Sequence, residues 1–360
     1  MAIPQVWKQR ALWLCCLVCW SVSAPPAEAQ EVEPAPEYEQ TFRRETDWTG
    51  ADGTYSYPLP NGQILWGFSD TFFGEVKEGA RQEPWQFRHN SMVLQGGSTF
   101  VFLPAPVFEP PNEEHWFWVW DAAGGDRILL GEFRGSGDND FNFEQAGLWT
   151  ARFRLADGDL RIEVSELTQL PFFEKRGDGQ ITFGPAILET AEWLYLYGVL
   201  DRAGERHSVL ARTPVGALQD PEQWRFFDGQ QWRPEMESAQ SLFPGAAMEA
   251  SVHRTASGEY LYVGTDAGGM GERIIARRAP APEGPWSEPI LVHTAPEHQG
   301  DVFTYNAKAH PELSGEGRLL ISYNVNTRDL NQVVADADIY RPRFFWWTPP
   351  ELGWLPERWR

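Results

Sequence analysis

The chain has 360 residues with 30 basic and 51 acidic side chains, a net charge of −21, and only three cysteines, Cys15, Cys16 and Cys19. That charge repels phosphate backbones, which excludes nucleic acid as a partner. Without a thiol after residue 19, the rest of the chain has no disulfide framework, thiolate metal site or cysteine nucleophile, and a neutral partner such as a sugar suits its surface.

Residues 1–29 read as a secretory signal peptide. Lys8 and Arg10 precede the apolar run ALWLCCLVCW, and Ala27-Glu28-Ala29 ends the segment. The run is too short to span about 30 Å of hydrocarbon, so no membrane span is expected. Cys19 as a lipoprotein site is disfavoured by Val18, where a small residue belongs. The expected location is therefore secreted or periplasmic. Residues 30–40 are rich in Pro and Glu and read as a disordered leader, residues 41–350 as one domain, and 351–360 as a C-terminal tail.

Long helical periodicity is absent. Short runs rich in Trp, Tyr, Phe, Val and Ile alternate with Gly, Pro, Asp and Asn, an all-β signature. One apolar run recurs as GQILWGFSD, WFWVWDAAG, EWLYLYGVLD, EYLYVGTDAG and GRLLISYNVN. Spacings of about fifty to seventy residues, with aromatic turns such as DPEQWRFFDGQQW and EGPWSEPIL, predict a five-bladed β-propeller; a β-sandwich would not need five similar hairpins in series. DIYRPRFFWWTPP is expected to supply the closing strand of the last blade.

A propeller gathers the starts of its inner strands around one channel mouth, where a small-molecule site is expected. If 53–59 and 63–69 form a hairpin around Pro60-Asn61-Gly62, then Asp52 and Asp70 lie at the same end of the sheet. Asp70 sits among Phe68, Thr71, Phe72 and Phe73, where a carboxylate is costly unless paired or used. Together the two are candidates for acid–base work, with Glu249 of PGAAMEASVHRT as a third carboxylate. Substrate-orienting candidates are Arg88, His89 and Asn90 of RHNSMVL, His253 on the same strand face as Glu249, Asn306, and Asn324 and Asn326 of ISYNVNT. Asp138, Asp140, Asn142 and Glu144 alternate oxygen ligands as a structural Ca²⁺ would want, but lack the EF-hand spacing and glycine. No cofactor and no catalytic metal are expected.

GADGTYSYPLPNGQILWGFSDTFFG, RHNSMVL, YNAKAHPEL…RLLISYNVN and IYRPRF together resemble the secreted DUF4185-type domain over roughly 42–347. The resemblance implies a five-bladed propeller related to endo-D-arabinanases and, more distantly, to family 43 glycoside hydrolases. It also implies Asp52 and Asp70 as the catalytic carboxylates. Ser69 departs from the glycine common there, and PAPVFEPPNEEHW is an irregular stretch in the second blade. The expected function is a secreted, monomeric glycoside hydrolase cleaving a neutral, arabinofuranose-containing polysaccharide or oligosaccharide. The alternative is a non-catalytic glycan- or protein-binding propeller of the cell envelope.

Overall fold

A computed structural model describes residues 31–356, apart from 138–141, 157–159, 177–178, 203, 267 and 316. The protein is mostly β, and its described strands form six antiparallel sheets: four of four strands, one of three and one of seven. Segments 1–29 and 357–360, and with them the expected leader peptide, lie outside the described residues.

The first four-stranded sheet runs Tyr55–Pro58, Ile64–Phe68, Ser91–Gly96, Thr99–Phe102. Its opening hairpin pairs Tyr55 with Gly67 and Pro58 with Ile64, so the expected turn at Pro60-Asn61-Gly62 is present. Gly67 is required there, because a Cβ would lie 2.5 Å from Tyr57 Oη. A small sheet of Thr46–Ala51, Thr71–Lys77 and Ala80–Arg88 is begun before the first sheet and completed when the chain leaves it once, between Phe68 and Ser91, which the sequence repeat did not foretell.

The second sheet is His115–Ala123, Arg127–Gly135, Phe143–Leu155, Ile162–Leu170. The seven-stranded sheet is built around Gly179–Glu189, Trp193–Arg202 and Glu205–Pro214, and takes in the Trp-rich turn through Arg225–Phe227. A further sheet comprises Ala250–Arg254, Tyr260–Thr265, Arg273–Ala279 and Ile290–Thr294. The last is Val302–Gly315, Arg318–Thr327, Arg343–Thr348 and, at its edge, Glu31–Pro34.

Neighbouring sheets meet in a closed cycle of strand contacts. Tyr55–Pro58 touches His115–Ala123, which touches Gly179–Glu189, then Ala250–Arg254, then Val302–Gly315, which returns to Tyr55–Pro58. Large rings fill the core: Trp48, Trp66, Trp120, Trp224 and Trp347 are fully buried. Tyr55 and Tyr57 cross the cycle by donating to the carbonyls of Pro185, at 2.9 Å, and Trp120, at 2.6 Å.

The two chain ends correct the sequence reading. Glu31–Pro34 is no disordered leader; it pairs residue by residue with Phe345–Thr348 and forms the outer edge of the last sheet. Edge strands tolerate proline, which is why the composition misled. Pro36–Phe42 is a helix that buries Tyr38 and Phe42. DIYRPRFFWWTPP does supply a strand of that last sheet, Arg343–Thr348, with Glu31–Pro34 outside it. The segment after it also packs: Trp354 is buried, 6.2 Å from Trp347.

Candidate active site

Asp52 follows Thr46–Ala51 and Asp70 follows Ile64–Phe68, at two of the crossings between the first sheet and the small one. The crossings are zipped together. Asp52 N–H donates to the Asp70 carbonyl at 3.1 Å, and Ser69 N–H to the Asp52 carbonyl at 2.9 Å. Both carboxyls therefore emerge from one rim. The turn needs Gly53, whose φ is +82° and whose Cβ, if present, would lie 3.0 Å from Ser69 N.

Asp52 Oδ2 accepts hydrogen bonds from Tyr305 Oη at 2.7 Å and Tyr340 Oη at 3.0 Å. Oδ1 is sealed from solvent and has no partner among the described residues. Burial first, then the neighbouring Asp70 and more distant Glu249, push the Asp52 carboxyl well above the usual range, while the phenols pull it back. Burial and Asp52 itself keep both phenols protonated, so they act as donors. With both donors on Oδ2, a proton on Asp52 belongs on Oδ1.

Asp70 Oδ1 accepts from His89 Nδ1 and Trp118 Nε1, each at 2.8 Å. Its side chain is 15% exposed, and Oδ2 makes no hydrogen bond among the described residues. The His89 ring is held in turn by Trp116, stacked at 4.6 Å, and by the edge of Phe87.

The two tyrosines are delivered by irregular backbone. In Val302–Gly315 the ladder slips between Tyr305 and Lys308, and Asn306 takes φ +54°. Tyr340, at φ +79°, lies between the helix Leu330–Ala335 and Arg343–Thr348. Arg81 pins that segment: buried, it donates to the carbonyls of Val333, Ile339, Ala337 and Thr49 and lies 4.6 Å from the centre of the Phe72 ring. Burial, then Arg341, lowers its pKa to about 9.

Glu249 lies beneath the rim. Its Oε2 accepts from Lys308 Nζ at 2.9 Å, with the two side chains 7% and 2% exposed. Lys308 also donates to the Gly53 and Asn306 carbonyls and sits 4.2 Å over the Tyr55 ring. Burial raises the Glu249 pKa and lowers that of Lys308, and each partner opposes the other's shift. The pair braces the Gly53 turn from below.

The remaining candidates divide. Asn326 Nδ2 donates to Tyr305 Oη at 3.4 Å and so reaches the site. Asn324 Nδ2 bonds Thr54 Oγ1 at 3.0 Å inside the rim, its Oδ1 buried without a described partner. Asn306 contributes a carbonyl, to Lys308. Arg88 is turned away to the Phe87 carbonyl and Gln86. Asn90 is structural: it donates to the carbonyls of Phe108 and Phe117 and accepts from the amides of Val107 and Phe108, pinning the irregular stretch of the second sheet. His253 is far along its strand, buried against the Trp354 main chain, and burial lowers its pKa to about 4.

Asp138 and Asp140 of the cation motif lie outside the described residues, while Glu144 is occupied by Arg134 and Lys175. No group of three or more His, Cys, Asp or Glu suited to a metal occurs among the described residues. Nor is any helix among them long and apolar enough to cross a membrane. Tyr305, Tyr340, Trp118 and Lys308 were absent from the sequence candidates. Tyr305 and Lys308 flank Asn306 in TYNAKAH, and Tyr340 lies in the IYRPRF motif, which the sequence offers as part of a closing strand.

The fold matches a candidate hydrolase from Bacteroides ovatus ATCC 8483 with a TM-score of 0.74 and 22% identity, covering 90% of this chain and 92% of that one. Weaker likenesses include the α-L-arabinofuranosidase PaAbf62A from Podospora anserina (TM-score 0.46, 11% identity, 85% and 98% covered). Another is the exo-β-1,3-galactanase Pc1,3Gal43A from Phanerochaete chrysosporium (0.45, 11%, 82% and 60%). The first of these likenesses shows a shared fold. No curated protein matches the sequence. The DUF4185 resemblance is overturned by a different family profile, which covers residues 35–348 and so accounts for every motif on which that resemblance rested. The chain belongs to the family described as a domain of unknown function, DUF5005.

Proposed function

We propose that the protein is a secreted glycoside hydrolase built as a five-bladed propeller, acting on a neutral, arabinofuranose-containing polysaccharide. The closed cycle of sheet contacts supports the propeller reading. One observation carries the chemistry: two carboxyls share a rim but have opposite surroundings, Asp52 held by two phenols with Oδ1 unpartnered, Asp70 by an imidazole and an indole. Paired titratable groups in contrasting environments are how acid and base roles are divided.

In this reading Asp52 gives its proton to the glycosidic oxygen as the bond to the anomeric carbon breaks. Asp70, the second carboxylate, assists attack at that carbon. Water supplies the hydroxyl to the anomeric carbon, and its other proton restores Asp52. Glu249 acts only through its field and by bracing Gly53.

The test is reducing-sugar release from D-arabinan, L-arabinan, arabinogalactan and xylan by wild type, Asp52→Asn and Asp70→Asn. Release lost in both variants supports the hydrolase. Release that survives in both removes the carboxyls from the chemistry. Binding without release, unaffected by either change, would favour the non-catalytic glycan binder.

A further inference from the structure

The first sheet stands between the second sheet and the last, and each neighbour brings a distinct surface to the carboxyl rim. On the second-sheet side, Trp118 joins Asp70 to a cluster of rings. Its centroid is 4.1 Å from Phe133 and 4.8 Å from Phe143, and Trp116 stacks on His89 beside it. Phe143 is 40% exposed, on a chain whose large rings are mostly buried. On the last-sheet side, Phe303 lies 5.4 Å from Tyr305, which holds Asp52. There a cleft of about 480 Å³ is lined by Met270, His298, Phe303, Thr327, Arg328 and Asp329. Met270 at its mouth is 54% exposed.

We propose that these two surfaces are glycan-binding flanks on either side of the carboxyl pair, so that the substrate is a chain crossing the rim and is cut at internal linkages. The proposal rests on the hydrolase reading for its cutting step and on geometry alone for its binding step. The ring cluster offers apolar area without charge, as the less polar face of a neutral sugar requires. The cleft offers a mixed rim of one cation, Arg328, two carboxylates, Asp301 and Asp329, an imidazole and a hydroxyl, fitted to hydroxyl groups. A net charge of −21 argues against an anionic chain. A site closed on one side would bind only a chain end; here each neighbour of the first sheet brings an exposed apolar side chain of its own, Phe143 on one side and Met270 on the other.

The test is affinity electrophoresis of Asp52→Asn in gels containing D-arabinan, L-arabinan, arabinogalactan or xylan. Phe143→Ala and Phe303→Ala are then added separately, with Met270→Ala as a second cleft variant should Phe303→Ala fail to fold. Each flank variant is expected to weaken binding about tenfold, and wild type should yield mid-length fragments before monosaccharide. Unchanged binding on removing either flank overturns the proposal, as does release of monosaccharide alone. Absence of binding to all four polymers overturns it too. Two-flank binding without cleavage keeps the flanks and removes the hydrolase, whereas cleavage with one silent flank does the reverse.

Discussion

Tyr305 Oη donates to Asp52 Oδ2 at 2.7 Å from the opposite end of the chain, 253 residues away. The same phenol accepts from Asn326 Nδ2, so the Asp52 carboxyl is the end of a short relay within the last sheet. Because a phenol donor favours the charged carboxyl, Tyr305→Phe moves the Asp52 pKa further up. An acid works while it is protonated. The alkaline limb of the pH–rate profile should therefore shift to higher pH in Tyr305→Phe, and in the same direction in Tyr340→Phe. A profile unmoved by both changes would detach Asp52 from the acid role.

Asp52 bears its raised pKa as an instability. A carboxyl raised on folding contributes stability that is full below its unfolded value and is lost as pH rises through its folded one. Asp52→Asn, which keeps an acceptor for the phenols, should thus be at least as stable as wild type at pH 8. It should nevertheless lose about 10²- to 10⁴-fold in kcat. Asp70→Asn should lose turnover with a nearly unchanged melting temperature, since its Oδ1 still accepts from His89 and Trp118. Calorimetry beside rate measurements separates these outcomes.

Lys308→Met leaves the Glu249 carboxylate without its cation, at a cost of about 3–5 kcal/mol. The double variant Lys308→Met, Glu249→Leu should recover most of that loss in urea unfolding. A catalytic Glu249 would give the opposite pattern: Glu249→Gln would abolish turnover and leave stability alone.

His253 and Glu312 tilt the pH dependence of stability in opposite directions. Burial lowers the His253 pKa to about 4 from an unfolded value near 6.5, so stability falls as pH drops across that window, by about 3 kcal/mol. Burial raises the Glu312 carboxyl, which accepts from Ser56 Oγ, to about 8, so its contribution is lost as pH rises toward that value. His253→Leu should flatten the acid side of a stability–pH curve, and Glu312→Gln the neutral side.

Asn90→Ala removes four hydrogen bonds that pin residues 107–108 and the Phe117 carbonyl, and should cost about 2–4 kcal/mol. If Asn90 touched substrate instead, the melting temperature would hold and KM would rise.

The hairpin and its carboxyls were legible because they depend on local rules: a turn at Pro60-Asn61-Gly62, two strands of similar length, and an acid at the matching end of each. What completes the site was not. Tyr305 is presented by a ladder slip at Asn306 that breaks two-residue alternation, and Asn306, chosen for its amide side chain, contributes instead the carbonyl that the lysine uses. Tyr340 is held by Arg81 from the small sheet, a tertiary bond that no local pattern carries. Asn90 had a side chain suited to sugar hydroxyls, and only the fold reveals that backbone groups had taken all of it. The resemblance went astray for a related reason: its motifs lie at the hairpin and the last sheet, while the family profile weighs the chain from 35 to 348.

The strand Glu31–Pro34 pairs with Arg343–Thr348, so one sheet is woven from both ends of the domain. Three of its strands are among the last made and its fourth is among the first, which makes the ring a clasp. Tyr305 and, through the adjoining segment, Tyr340 belong to that same closing sheet. The Asp52 carboxyl therefore acquires its phenols only when the ring has shut, and a chain with an open clasp would carry both aspartates yet no assembled site.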